Sequence, residues 1–181
     1  LSGGGYDPQG GVYEGDASHG EVPLTVSSPE AGPELLELFR AGLLCNDSSV
    51  YFEDDTWHIS GDPTEAALIV SAMKAGLNRE VVEHHMPRLD TLPFESEFQY
   101  MATLHRDLDA GDADGDQVDN VVYVKGAVER LLDRSSQQAD GSLLDAAAKE
   151  RVEMESRELA AEGLRVLAFA YKRVPSTVVE I

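Results

Sequence analysis

Apolar residues recur at helical spacing over residues 33–44, where Leu35, Leu36, Leu38, Phe39, Leu43 and Leu44 make one face and Pro33 suits a first turn. A helix with a buried face is expected there. Short β-branched and aromatic runs at 50–52 and 57–59 flank Glu53, Asp54 and Asp55, which predicts a small hairpin. Gly61-Asp62-Pro63-Thr64-Glu65 announces the next helix: Asp62 can cap, Pro63 fits the first position, and Glu65 stands three after the cap as in a capping box. A short helix over 79–85, capped by Asn78 and closed before Pro87, should follow. Residues 127–132 suit a helical turn or two. The longest helix, roughly 143–162, is opened by Ser142-Leu143-Leu144-Asp145, ended by Gly163 and expected to cover a sheet. Residues 164–171 alternate strictly, with Arg165, Leu167, Phe169 and Tyr171 on one side, so a strand is expected to begin near Arg165.

The richest stretch, 92–129, reads as one long β-hairpin, with strands at 100–105 and 121–124 around an acidic segment. If His105 faces Val121, then Met101 faces Lys125, and Phe94 and Gln99 lie at the same open end. That end gathers a ring, a thioether, an amide and an ammonium, a set able to stack a planar base and neutralise phosphate charge. The ordinary alternative is that Phe94 and Met101 are core residues and Lys125 a strand-end charge. Near the N-terminus, residues 3–11 read as turns around a short first strand, and 14–33 as a surface loop with only Val22, Leu24 and Val26 suggesting structure.

With 181 residues, 42% of them hydrophobic, one domain spanning 1–181 is the default. The fold class expected is α+β, a largely antiparallel, twisted sheet flanked by helices. The single cysteine, Cys45, excludes an internal disulfide and reads as a buried, inert thiol. No apolar run approaches the roughly 20 residues of a membrane span, so no membrane contact is expected. The chain starts without methionine and reads as cut from something longer. A formal charge of −20 excludes nucleic acid and anionic membrane as natural partners. The acidic segment 107–119 fails the calcium-loop pattern, since anchoring its glycine on Gly115 puts Ala110 and Val121 at ligand positions. It reads as solvated loop. His84 and His85, adjacent on one helix, point about 100° apart and cannot chelate together. No catalytic residues and no metal ligands are assigned.

Several stretches together resemble the nucleotide-binding domain of P-type cation-transporting ATPases of the calcium-pump and sodium/potassium-pump class. They are Gly5-Tyr6-x-Pro8-x-Gly10, Leu44-Cys45-Asn46-Asp47, Gly61-Asp62-Pro63-Thr64-Glu65-Ala66-Ala67-Leu68, Pro93-Phe94-Glu95-Ser96-Glu97, Met101, Lys125-Gly126-Ala127-x-Glu129 and Leu164-Arg165-Val166-Leu167-Ala168. In order they cover nearly the whole chain. The resemblance implies an ATP site in which Phe94 stacks on adenine, Glu65 lies near its amino group and Lys125 is the pocket lysine. Gly126 would let the base approach the backbone, Arg165 would reach the phosphate or ribose side, and Leu167 and Met101 would be apolar walls. The basic residues that calcium pumps place just after the phenylalanine are replaced by Ser96, Phe98 and Gln99, so Gln99 can at most hydrogen-bond. The resemblance further implies a monomeric cytoplasmic domain of a membrane ATPase, with Mg2+ at the phosphates in the full-length enzyme and the phosphorylation and actuator domains of the same chain as partners. The segment bearing the phosphorylated aspartate is absent, so the chain should bind ATP and hydrolyse nothing. Two other readings stay open: a stand-alone acidic interaction or cation-binding module, and a nucleotide-sensing regulatory domain.

Overall fold

Where the apolar spacing is helical, the chain is helical. The computed structural model describes residues 3–14, 22–25, 32–108 and 119–181, in two compact units, Leu1–His85 and Met86–Ile181. In the first unit, β1 (Val12–Glu14) and β2 (Val22–Leu24) pair antiparallel, with Val12 opposite Leu24. The glycine-rich stretch therefore precedes the first strand and does not surround it. Residues 15–21 and 26–31, Val26 among them, lie outside the described residues. Helix α1 (Pro33–Leu44) has Pro33 in its first turn and buries Phe39, Leu43 and Leu44. Its C-cap, Cys45, is buried, as expected. Strands β3 (Ser49–Glu53) and β4 (Thr56–Ser60) form the small hairpin. Its turn residues Asp54 and Asp55 both have positive φ, the conformation whose twist suits a two-residue hairpin loop. Helix α2 (Pro63–Lys74) starts as read, with the Asp62 side chain accepting the N–H groups of Thr64 and Glu65. Helix α3 (Arg79–His85) follows, Asn78 accepting the Val81 N–H.

The second unit is built on one antiparallel sheet in the order β5 (Arg88–Glu95), β6 (Tyr100–Arg106), β7 (Asn120–Gly126) and β8 (Ala168–Val174). The expected register holds: His105 faces Val121 and Met101 faces Lys125. The ribbon is not one hairpin from 92 to 129, however. Residues 92–95 end a separate strand, β5, which pairs with β6 across a tight turn at 96–99. β5 is an edge strand, the place a sheet tolerates Pro93, and its pairing slips at two points, Arg88/Asp90 and Leu92/Glu95.

Helices α4 (Val128–Arg134) and α5 (Ala146–Ala161) pack Val128, Leu132 and Ala148 together with Leu144, and Val152, Val166 and Ala168 close over them. α5 thus covers α4 and the approach to β8 more than it covers the sheet. It also starts later than expected. Asp145 is its cap, accepting the Ala148 N–H at 2.8 Å, while the Ser142 carbonyl accepts the Gln138 N–H in a preceding turn. The last strand differs as well: residues 164–167 are not strand, so Arg165 does not begin one. The Leu164 N–H donates to the Leu159 carbonyl and the Gly163 N–H to Ala160, closing the end of α5 in a Schellman motif. Strand pairing begins only at Ala168, because its partner β7 ends at Gly126.

Candidate functional site

The irregularity in β5 builds the site. Leu92 faces Ala102 and Glu95 faces Tyr100, so two residues, Pro93 and Phe94, stand opposite the single residue Met101. This is a bulge, a feature that re-aims a side chain at a sheet edge. Met101 faces Lys125, and Lys125 faces Phe169. Phe94, Met101, Lys125 and Phe169 therefore lie in one row across the four strands. The row is graded in exposure: the Phe94 ring is 59% exposed on the edge, while Met101 is 1% and Lys125 6% exposed. An exposed aromatic beside a buried thioether and a nearly buried ammonium offers a face for stacking and a cation held in low dielectric.

Gly126 and Gln99 serve this end of the sheet from within. A Cβ on Gly126 would strike the Gln99 carbonyl and come within 2.6 Å of Tyr100 Cβ, so the glycine makes room for the β5–β6 turn. Gln99 itself adopts φ 61, and its carbonyl accepts the Ala127 N–H at 3.0 Å. Its Oε1 accepts the Arg130 Nε–H at 2.9 Å, which ties the turn to α4. Arg134, one turn on, places its guanidinium 4.8 Å from the centre of the Tyr100 ring. Arg130 directly continues the Lys125-Gly126-Ala127-Val128-Glu129 run, and its place on the helix face that looks back at the turn was the available signal. Arg165 is exposed in the connection between α5 and β8, and Leu167 is half-buried just before the Ala168–Gly126 pair.

Glu65 belongs to the first unit and is held there by a polar network. Its Oε2 accepts the Asp47 N–H at 3.0 Å and lies 3.2 Å from Ser48 Oγ. Asn46, 1% exposed, donates Nδ2 to the Glu65 and Gly42 carbonyls and accepts the Ser48 N–H. Arg79 adds a hydrogen bond to the Ser48 carbonyl at 2.6 Å. The carboxylate thus anchors the loop after α1 to the start of α2.

At the opposite end of the sheet from the row, Asp107 was expected in solvated loop. Its side chain is instead 4% exposed and pairs with Arg173 at 2.8 Å. The acidic residues between, 109–118, lie outside the described residues. The Asp90 carboxyl is held below its ordinary range, first by the N–H of Ile181 and then by that of Thr91. Among the described residues no helix is long and apolar enough to cross a membrane.

The family model described as "P-type ATPase, cytoplasmic domain N" matches residues 34–180. The chain is 42% identical over 175 residues to "Cation-transporting ATPase pma1" of Synechocystis, covering 96% of this chain and 18% of the relative. It is 40% identical over 172 residues to "Probable cation-transporting ATPase F" of Mycobacterium tuberculosis, covering 93% and 17%. Against "Calcium-transporting ATPase" of Bacillus subtilis the identity is 29% over 177 residues, covering 96% and 18%. The chain thus spans less than a fifth of the length of these relatives, which are named as ion-transporting ATPases. By both the family match and these identities, the chain belongs to the family of P-type ATPase cytoplasmic N domains.

Proposed function

We propose that residues 1–181 form a nucleotide-binding domain that holds ATP for the phosphorylation domain of a longer, membrane cation-transporting ATPase. The observation that carries the reading is the bulge that sets Phe94, exposed, in one row with Met101 and Lys125. Phe94 stacks on adenine, Met101 and Leu167 give apolar contact, and Lys125 and Arg165 supply positive charge toward the phosphates and ribose. Glu65 accepts from the 6-amino group. Gln99 keeps its amide oxygen on Arg130 and offers its N–H groups; Gly126 holds the turn that carries it. Mg2+ of the full-length enzyme is assigned to the nucleotide phosphates. This chain's work is positioning, and no catalytic group is assigned to it.

The test is a titration of the chain with ATP, followed by amide chemical shifts. Shifts should move at Phe94, Lys125 and Arg165 with a Kd around a millimolar, or about −4 kcal/mol, because much of the phosphate contact lies in other domains. Phe94→Ala should weaken binding by about 1–3 kcal/mol, the usual worth of a base–aromatic stack. A flat titration to several millimolar refutes the proposal.

A further inference from the structure

We infer that Ser48 is a positioning residue for base selection, aiming the Glu65 carboxylate so that a purine with a 6-amino group is preferred over one with a 6-oxo group. The inference rests on the reading of Glu65 as the group that meets the base. Four observations converge on Ser48, which is 1% exposed. Its N–H donates to Asn46 Oδ1 at 2.9 Å and its carbonyl accepts from Arg79 Nη1 at 2.6 Å, so both sides of its backbone are fixed. Its hydroxyl has one proton and two acceptors at 3.2 Å, the Asp62 carbonyl and Glu65 Oε2, and the carboxylate is the stronger acceptor. The adjacent Asp47 N–H reaches the same Oε2. Finally, Gly61, at φ 105, is the residue against which Ser48 packs: a Cβ there would lie 2.9 Å from both Ser48 Cα and Cβ. The glycine of the Gly61–Glu65 motif thus makes room for the serine that holds the glutamate.

Two donors on one oxygen fix the plane of a carboxylate, which offers about four acceptor positions in all, and so determine where a further donor can bind. An amino group at position 6 of the purine donates to such an acceptor. A carbonyl there would set two acceptors face to face, and such mispairing is where polar sites discriminate most strongly. Without the Ser48 hydroxyl the carboxylate can turn away, and the discrimination falls while stacking and phosphate contacts persist.

Affinities for ATP and for inosine triphosphate, which carries the 6-oxo group, are measured on the chain and on Ser48→Ala, Glu65→Ala and Phe94→Ala, with thermal unfolding alongside. The parent chain should prefer ATP. Ser48→Ala should lower that preference about threefold or more while binding inosine triphosphate as before, the scale of one lost hydrogen bond. General loosening of the fold would weaken both nucleotides together and leave the ratio unchanged, which overturns the inference. If Glu65→Ala erases the preference and Ser48→Ala retains it, Ser48 has no such role and the nucleotide site stands. If Glu65→Ala keeps the preference, the inference falls with the reading of Glu65. A parent chain that binds neither nucleotide removes the site itself.

Discussion

The chain contains two hairpins written in the same sequence language and put to opposite uses. The β3–β4 hairpin pairs Tyr51 with His58 and Phe52 with Trp57, yet Tyr51 and Phe52 remain 44% and 57% exposed. The β6–β7 hairpin pairs Met101 with Lys125 and His105 with Val121, and all four are buried. The cause is the neighbours. Among the described residues β3 and β4 make a two-stranded sheet, whereas β6 and β7 are the central strands of four. A strand flanked on both sides has its hydrogen bonds satisfied, and β6 buries both of its faces, including polar Thr103 and His105. Alternation announces a ribbon; its position in the sheet decides whether that ribbon is core.

Substitutions should separate the two ribbons. Met101→Ala, in the central one, should cost about 2–5 kcal/mol in chemical denaturation, the range for emptying a buried aliphatic site. Gly126→Ala should cost about 1–3 kcal/mol by pressing on the Gln99 carbonyl and Tyr100, and should disturb the turn that leads to Phe94. Phe52→Ala, on the outer hairpin, should stay within about 0.5 kcal/mol; a loss as large as that at Met101 would break the contrast. Acid gives the smallest effect. Because Asp90 is held below its ordinary pKa of 3.8, its contribution to the fold is complete above that value and fades as pH falls through the lower folded-state value. Asp90→Asn should therefore lose part of the acid dependence below pH 3.8, read as amide shifts at Ile181.

Much of this was legible in the residues. Caps are local, so Asp62, Asn78 and the end at Gly163 could be read directly, and one assumed pair, His105 with Val121, fixed the register of the whole central ribbon. Strand ends are not local. β8 starts where β7 runs out, which no alternation in 164–171 could reveal, and β5 was hidden by Pro93 and its two slips. Asp145 displaced Ser142 as a cap because both are competent and the preceding turn engages the serine. The partners of Glu65 lie 17 and 18 residues away, so spacing alone could suggest only the capping box.

The closure at the far end of the central ribbon has a practical consequence. Arg106 pairs with Asn120, the Asp107 N–H donates to the Asp119 carbonyl, and Arg173 grips the Asp107 carboxylate. These contacts pin the strands before the intervening residues begin, and Arg106 stands five residues, about 17 Å, from Met101. The register of Met101 and Lys125 is therefore held from the end of the ribbon farthest from them, and a substitution at Arg173 reaches it through Asp107.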